Sequence, residues 1–248
     1  MKIAIVGYGF VGKSTELLFS EHECLIHDPA LGYEIKSWSD VQYTFICVPT
    51  PINDFTKKGL SKSVVKDAIR EVRSKTSKSN RGGKIVVRST LGPDQLEDDW
   101  IYMPEFLREN HWKEDTMDHR KSVIIGASDE EDFFALQYAL PFMKTAHRVS
   151  PREAAIYKMS RNSLLAARVM FANHVYDVCE KNGADYNNIK KLYVVENEFG
   201  WTHWDVPGPD GKRGFGGKCL PKDTKHFANL ISDKNMFTQI LEDNENSR

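Results

Sequence analysis

The sequence predicts an α/β protein: a Rossmann-like, doubly wound and mostly parallel sheet, followed by an α-helical region. Three observations predict it. Short apolar runs alternate with helical patterns from Met1 to Val149, as in repeated βαβ units. The first run, Lys2-Ile3-Ala4-Ile5-Val6, leads into Gly7-Tyr8-Gly9-Phe10-Val11-Gly12 and then a helical stretch. At Ser150-Pro151 the alternation stops, and a helical pattern runs to Asn182. The expected division is a dinucleotide-binding domain over 1–149. A helical central domain with a long connecting helix follows over 150–248.

Composition sets the outer bounds. The chain has 248 residues, which suits one large domain or a domain with an appendage. A net charge of −1 argues against a nucleic-acid surface. No apolar run approaches the ~18 residues that cross a bilayer, and the start enters a strand without a signal-peptide plan. Cys24, Cys47, Cys179 and Cys219 are scattered with no CxxC pair. No metal site is therefore expected, and the setting expected is reducing and cytoplasmic.

Taken in order, Lys2 to Val6 reads as a buried strand and the residues through Phe19 as a helix. Strand, G-x-G-x-x-G, helix is the dinucleotide fingerprint: tight turn, room for pyrophosphate, close packing of helix on strand. Cys24 to His27 is a second strand, and Asp28 ends it where an acid grips the adenosine ribose. A carboxylate there repels a 2′-phosphate, which favours NAD over NADP. The same residues also spell a P-loop, Gly7-x-x-x-x-Gly12-Lys13-Ser14, the mark of a kinase or NTPase. Gly9 and Asp28 have roles only in the dinucleotide reading, and the strand Tyr43–Val48 ends in Pro49 rather than a magnesium-binding aspartate.

Beyond it, Ser61 to Thr76 reads as an amphipathic helix with Val64, Val65, Ala68, Ile69 and Val72 on one face. Lys84 to Arg88 and Ser122 to Gly126 read as strands, and Asp129 opens a helix to about Leu140 with acids against its dipole. Ser150 as cap and Pro151 in the first turn start the long helix. Lys158 and Asn162, four apart, share a face of it. Tyr186 to Val195, Thr224 to Leu230 and Met236 to Asp243 read as shorter helices, with an irregular aromatic stretch from Phe199 to Pro209.

One stretch organises the chemistry: Gly214-Phe215-Gly216-Gly217-Lys218-Cys219-Leu220-Pro221-Lys222-Asp223. Glycines let backbone approach a ligand closely. A thiol beside Lys218, Lys222 and a helix amino end at Asp223-Thr224 is set up to react as a thiolate. A cysteine taken alone would read as a small buried apolar residue.

Gly-Phe-Gly-Gly-x-Cys-x-Pro-Lys-Asp resembles the nucleophile motif of the UDP-glucose/GDP-mannose dehydrogenase family. Cys47-Val48-Pro49-Thr50-Pro51, Ser89-Thr90 and Pro104-Glu105-Phe106-Leu107-Arg108-Glu109 resemble three more of its motifs, and the run from Lys158 to Asn173 resembles its central helix. The resemblance implies oxidation of a nucleotide sugar, UDP-glucose to UDP-glucuronate, by two successive NAD. Cys219 would be the nucleophile, Lys158 and Asn162 would stabilise the oxyanion, and Asp223, Thr90 and Glu109 would handle protons and water. Cofactor contacts would come from Gly7 to Gly12 (Phe10 and Val11 included), Asp28, Thr50, Pro51, Thr90, Glu109 and Lys222. Sugar contacts would come from Glu105, Phe106, Leu107, Arg108, Lys158, Asn162, Phe215, Gly216 and Gly217. The family also forms homodimers through the central helix. Two departures stand out: Ala155 occupies the place of an acid three positions before the lysine, and Leu91-Gly92-Pro93 rearranges the turn after Thr90. The match spans nearly all of this chain but only about the first two thirds of a usual member, without the carboxy-terminal domain that grips the nucleotide. That leaves a second expectation open, a truncated NAD-binding relative that acts as a binding or regulatory partner.

Overall fold

Parallel strands buried on both faces need near-continuous apolar sequence, and the runs that meet this condition build the sheet. The structure is a computed structural model and describes residues 1–51, 60–76, 83–118, 121–141, 144–196, 200 and 202–248. The expected polar loop from Asn53, the connector between Lys75 and Gly83, and the aromatic residues Phe199 and Trp201 lie wholly or partly outside them. The chain divides into two compact units, the first comprising Met1–Pro51 and Ser61–Lys158, the second including Met159–Arg248.

The first unit is the α/β layer structure. Its strands are β1 (Lys2–Val6), β2 (Glu23–His27), β3 (Tyr43–Ile46), β4 (Lys84–Val87), β5 (Ile101–Tyr102), β6 (Val123–Gly126) and β7 (Ala146–Val149). They form one seven-stranded sheet in the order β2-β1-β3-β4-β5-β6-β7. Every neighbouring pair is parallel except β5 with β6. β2 and β3 flank β1 on opposite sides, so the chain reverses direction across the sheet there. Ligands bind open α/β sheets at such a reversal, beyond the carboxyl ends of the strands. Helices α1 (Phe10–Leu18), α2 (Ser63–Lys75), α3 (Trp112–Met117) and α4 (Glu130–Ala139) accompany the sheet. One apolar cluster joins Ile3, Ile5, Phe19, Phe45, Val86 and Leu136; a second joins Ala4, Ile46, Val65, Ile69, Val72 and Tyr102. Alternate residues of β1 thus serve opposite faces, as the pleat requires.

Four features differ from the sequence expectation. β3 stops at Ile46 and β4 at Val87, where the ladder converges on one carbonyl: the Arg88 and Ser89 N–H groups both donate to Ile46 (2.9 and 3.0 Å), and Ser89 Oγ donates to the carbonyls of Ile46 (3.2 Å) and Val48 (2.7 Å). Val64 is 37% exposed, so the buried stripe of α2 is Val65, Ala68, Ile69 and Val72 alone. No α-helix joins β2 to β3; a 3-10 turn at Pro29–Leu31 follows β2, and Trp38 and Val41 fill the second cluster. α3 is a further helix that local periodicity does not announce.

The second unit is helical. The long helix α5 (Pro151–Asn182) crosses from the first unit into it, and α6 (Tyr186–Val195), α7 (Leu220–Ile231) and α8 (Met236–Ser247) follow. A reciprocal cap starts α5: Glu153 N–H donates to Ser150 Oγ at 3.2 Å, and Ser150 N–H to Glu153 Oε2 at 2.7 Å. α7 begins at Leu220, earlier than expected, and α8 runs on to Ser247. Phe215 packs with Ala166, Val169 and Met170, while Trp204 and Tyr186 pack with Ala172 and Cys179. Among the described residues no helix is long and apolar enough to cross a membrane.

Candidate functional site

The loop after β1 has the geometry of a phosphate cradle. Gly7 holds φ +88°, and a Cβ there would lie 2.9 Å from the Cys47 carbonyl oxygen. A Cβ on Gly12 would lie 2.1 Å from the Gly7 oxygen, so α1 can approach β1 only with glycine at that position. Gly9 is different: a Cβ there meets nothing within 4 Å, and the loop is open on the side a pyrophosphate would take. α1 starts at Phe10, leaving the first-turn N–H groups directed outward at the positive end of the helix. Asp28 Oδ2 accepts from Tyr8 N–H at 2.7 Å, and Asp28 is tied to Tyr33 by two backbone hydrogen bonds. The Asp28 carboxylate is thereby fixed against the loop. A P-loop would aim its serine at magnesium. Ser14 is instead buried, with Oγ 2.6 Å from Thr116 Oγ1, and Lys13 lies over the Tyr8 ring at 5.7 Å, which removes the NTPase reading.

Beyond the ends of β3 and β4, Thr50 and Thr90 are buried and Pro51 is exposed. The loop after β5 separates its two carboxylates. Glu105 is 5% exposed, and Lys158 from α5 is 2% exposed. Lys158 Nζ donates to the Glu105 carbonyl at 2.7 Å and to Oε1 at 3.2 Å, while Leu107 N–H donates to Oε2 at 2.6 Å. Burial pushes the Glu105 carboxyl up, but Lys158, the Leu107 N–H and Arg88 outweigh it and hold it below its usual value. Glu105 therefore supplies the acid that Ala155 lacks; Ala155 itself is fully buried in the apolar layer. Lys158 also sits 5.4 Å from the centre of the Phe106 ring. Arg108 turns to Asp115 of α3, donating from its backbone N–H, Nε and Nη2. Asp115 is a partner that sequence reasoning missed, since nothing in its spacing marks it. Glu109 is exposed at the start of a 3-10 turn, Glu109–His111.

In the second unit Cys219 is the N-cap of α7 and half-buried. The helix starts right after it, so the sulfur lies at the positive end of α7 rather than several residues before it. Asp223 in the first turn is fully buried. Its Oδ2 accepts from Asn162 Nδ2 and its Oδ1 from Lys222 Nζ, each at 2.6 Å. Asn162 and Asp223 are thus brought together across α5 and α7. The approach to the cysteine hangs on two asparagines: Gly214 N–H donates to Asn173 Oδ1 at 3.1 Å, and Phe215 N–H to Asn244 Oδ1 at 2.6 Å. Asn244 is a second residue that no local pattern reveals. Phe215 points its ring into the apolar cluster, while Gly217 is exposed. Among the described residues no group of three or more His, Cys, Asp or Glu side chains is placed to hold a metal.

Known proteins resemble this arrangement. Residues 152–247 match the model of the UDP-glucose/GDP-mannose dehydrogenase family, central domain. A UDP-glucose 6-dehydrogenase of Rickettsia bellii is 29% identical over 238 residues, covering 90% of this chain and 52% of the relative. The chain spans about half the length of that relative. Among solved structures, a UDP-glucose dehydrogenase from Pyrobaculum islandicum superposes with TM-score 0.81 at 23% identity, covering 99% of this chain and 68% of that one. A GDP-mannose dehydrogenase from Pseudomonas aeruginosa gives TM-score 0.65 at 22% identity, covering 100% and 69%. At these identities the structural likeness speaks for the fold.

Proposed function

We propose that this chain, whose residues 152–247 match the central domain of the UDP-glucose/GDP-mannose dehydrogenase family, oxidises the primary alcohol of a nucleotide sugar to a carboxylate with NAD as acceptor. UDP-glucose is the first candidate. The observation that carries the reading is the buried Asn162–Asp223–Lys222 network in the helix turn capped by Cys219. A fully buried carboxylate is costly to desolvate, and such groups gather at functional sites.

Gly9, Phe10, Val11 and Gly12 would hold the pyrophosphate of NAD, and Asp28 its adenosine ribose. When bound, the nicotinamide ring accepts a hydride. Asp223 takes the proton of the sugar alcohol, and Thr90 orients water. An aldehyde carbon has no hydride to give in a second oxidation until a nucleophile adds to it. The Cys219 thiolate adds there and makes a thiohemiacetal. Lys158 and Asn162 donate hydrogen bonds to its oxygen. Loss of the second hydride leaves a thioester, and Glu109 moves the proton as water hydrolyses it. Each sugar thus loses four electrons, two to each NAD.

We also propose a homodimer. Leu164, Phe171 and Val178 recur every seven residues along α5 and are 62%, 50% and 58% exposed, an apolar stripe that suits a two-fold contact. None of the four cysteines forms a disulfide, which suits the cytoplasm.

Incubation with NAD and a panel of UDP- and GDP-sugars tests the reading. Growth of NADH absorbance with one sugar, in two equivalents per sugar, supports the dehydrogenase. Binding of NAD with no NADH from any sugar overturns it.

A further inference from the structure

A small cavity of about 50 Å³ lies inside the first unit, lined by α1, the residue after β4, the Pro104–Leu107 loop and α3. None of the glycine-loop residues lines it. Arg88 is part of its lining; it is 4% exposed, and its Nε has no hydrogen-bond partner among the described residues. Buried polar groups are almost always paired, so an orphaned guanidinium N–H on a residue that lines a cavity calls for an occupant. Burial holds that guanidinium below its ordinary pKa despite the pull of Cys47 and Glu105, which marks how poorly the charge is compensated.

Among the described residues the lining charges do not balance. Arg88, Lys121 and Lys144 face the cavity together with two carboxylates, Glu105 and Asp115. Glu105 is already matched by Lys158, and Asp115 by Arg108 as well as Lys121. Among the described residues Lys144 Nζ donates to the neutral carbonyls of Asp118 and Lys121, and the Asp118 carboxylate acts on it through space. The surplus is cationic. Three hydroxyls also line the space. Thr116 donates to the Trp112 carbonyl at 2.6 Å, so Ser14 donates to Thr116 and neither has a hydrogen left, while Ser122 Oγ lies 3.1 Å from His147 Nε2. The charged donors of the lining are all cationic. Size limits the occupant. One water needs roughly 10–15 Å³ of such space, so a small ion fits with a water or two and a phosphate ester does not.

We propose that this cavity binds a small monovalent anion of chloride or formate size, held by the Arg88 guanidinium and the Lys144 ammonium. Lys121, whose side chain is 36% exposed, connects it to solvent. Water could satisfy the orphaned N–H, but only an anion also offsets the charge.

The test reads binding and does not depend on any turnover. Crystals soaked in sodium bromide should show an anomalous scattering peak in the cavity beside Arg88. In solution, the unfolding midpoint should rise saturably in chloride or formate over gluconate at equal ionic strength. Arg88→Met should lose both the peak and the salt preference. Lys144→Gln leaves the buried arginine in place, and it should weaken the preference even if the arginine variant does not fold. Ordered water in place of bromide overturns the proposal. So does a bromide peak whose salt preference is unchanged in either variant, which would be an adventitious ion only.

Discussion

Replacing Glu105 with glutamine tests whether the buried ion pair holds Lys158 in place. The pair is nearly dry, with Glu105 5% and Lys158 2% exposed and Nζ 3.2 Å from Oε1. Glutamine keeps the volume and an oxygen for the Leu107 N–H, but removes the carboxylate that faces the buried ammonium. Breaking a buried pair costs about 3–5 kcal/mol. Lys158 retains the Glu105 carbonyl at 2.7 Å, which puts the expected loss at the lower end, about 3 kcal/mol by urea unfolding at neutral pH. The pH dependence has a definite sign. Glu105 is held below its usual value of 4.5 in the folded chain. A carboxyl with a depressed folded pKa adds stability above its unfolded pKa and loses it as pH falls through the folded value. The gap between unmutated protein and variant is therefore full at neutral pH and closes as pH drops below about 4.5. A neutral-pH gap under ~1 kcal/mol, or one that stays constant into acid, would refute the argument that this pair is charged and depends on its carboxylate.

Asp28→Ala removes a charged acceptor fixed at 2.7 Å from the glycine loop. Calorimetry should show NAD binding weakened by about 2 kcal/mol, roughly thirtyfold, and NADP affinity brought close to it. Cys219→Ala should bind NAD normally and form no carboxylate, as followed by chromatography of the sugar nucleotide. Burial pushes the thiols of Cys24 and Cys47 up to about 11, so iodoacetamide at neutral pH should label Cys219 before either, as read by peptide mass. Phe171→Glu places a charge on a side chain that is 50% exposed in the middle of the α5 stripe. Light scattering should then report a monomer where the unmutated chain is a dimer.

The sequence exposed those features whose causes are local. β1, the glycine turn and α1 follow from three glycines in fixed spacing. The start of α5 follows from Ser150, Pro151 and Glu153, and α6 keeps its expected bounds at Tyr186–Val195. What stayed hidden depends on partners distant in sequence. Glu105 and Lys158 are 53 residues apart, and no periodicity links them. Asn244 reaches Phe215 across 29 residues. α3 has six residues, too few for a helical period to emerge. α7 starts early because Pro221 suits a first turn, although glycines and a proline in one stretch read as loop. β6 runs antiparallel to β5 through a single residue pair, Tyr102 with Gly126, which leaves no pattern in either strand.

The two asparagines behind the cysteine loop tie its fluctuations to a helix far along the chain. Asn173 stands in the middle of α5, whereas Asn244 belongs to α8. The Phe215 amide hydrogen can exchange with solvent only when α8 releases it. Its exchange rate is therefore a clock for the end of α8, and the Gly214 amide beside it is a clock for α5. Asn244→Ala should speed the first clock and leave the second slow. Whatever grips or loosens α8 around Asn244 then sets how often the loop leading to Cys219 opens, without touching Cys219 itself.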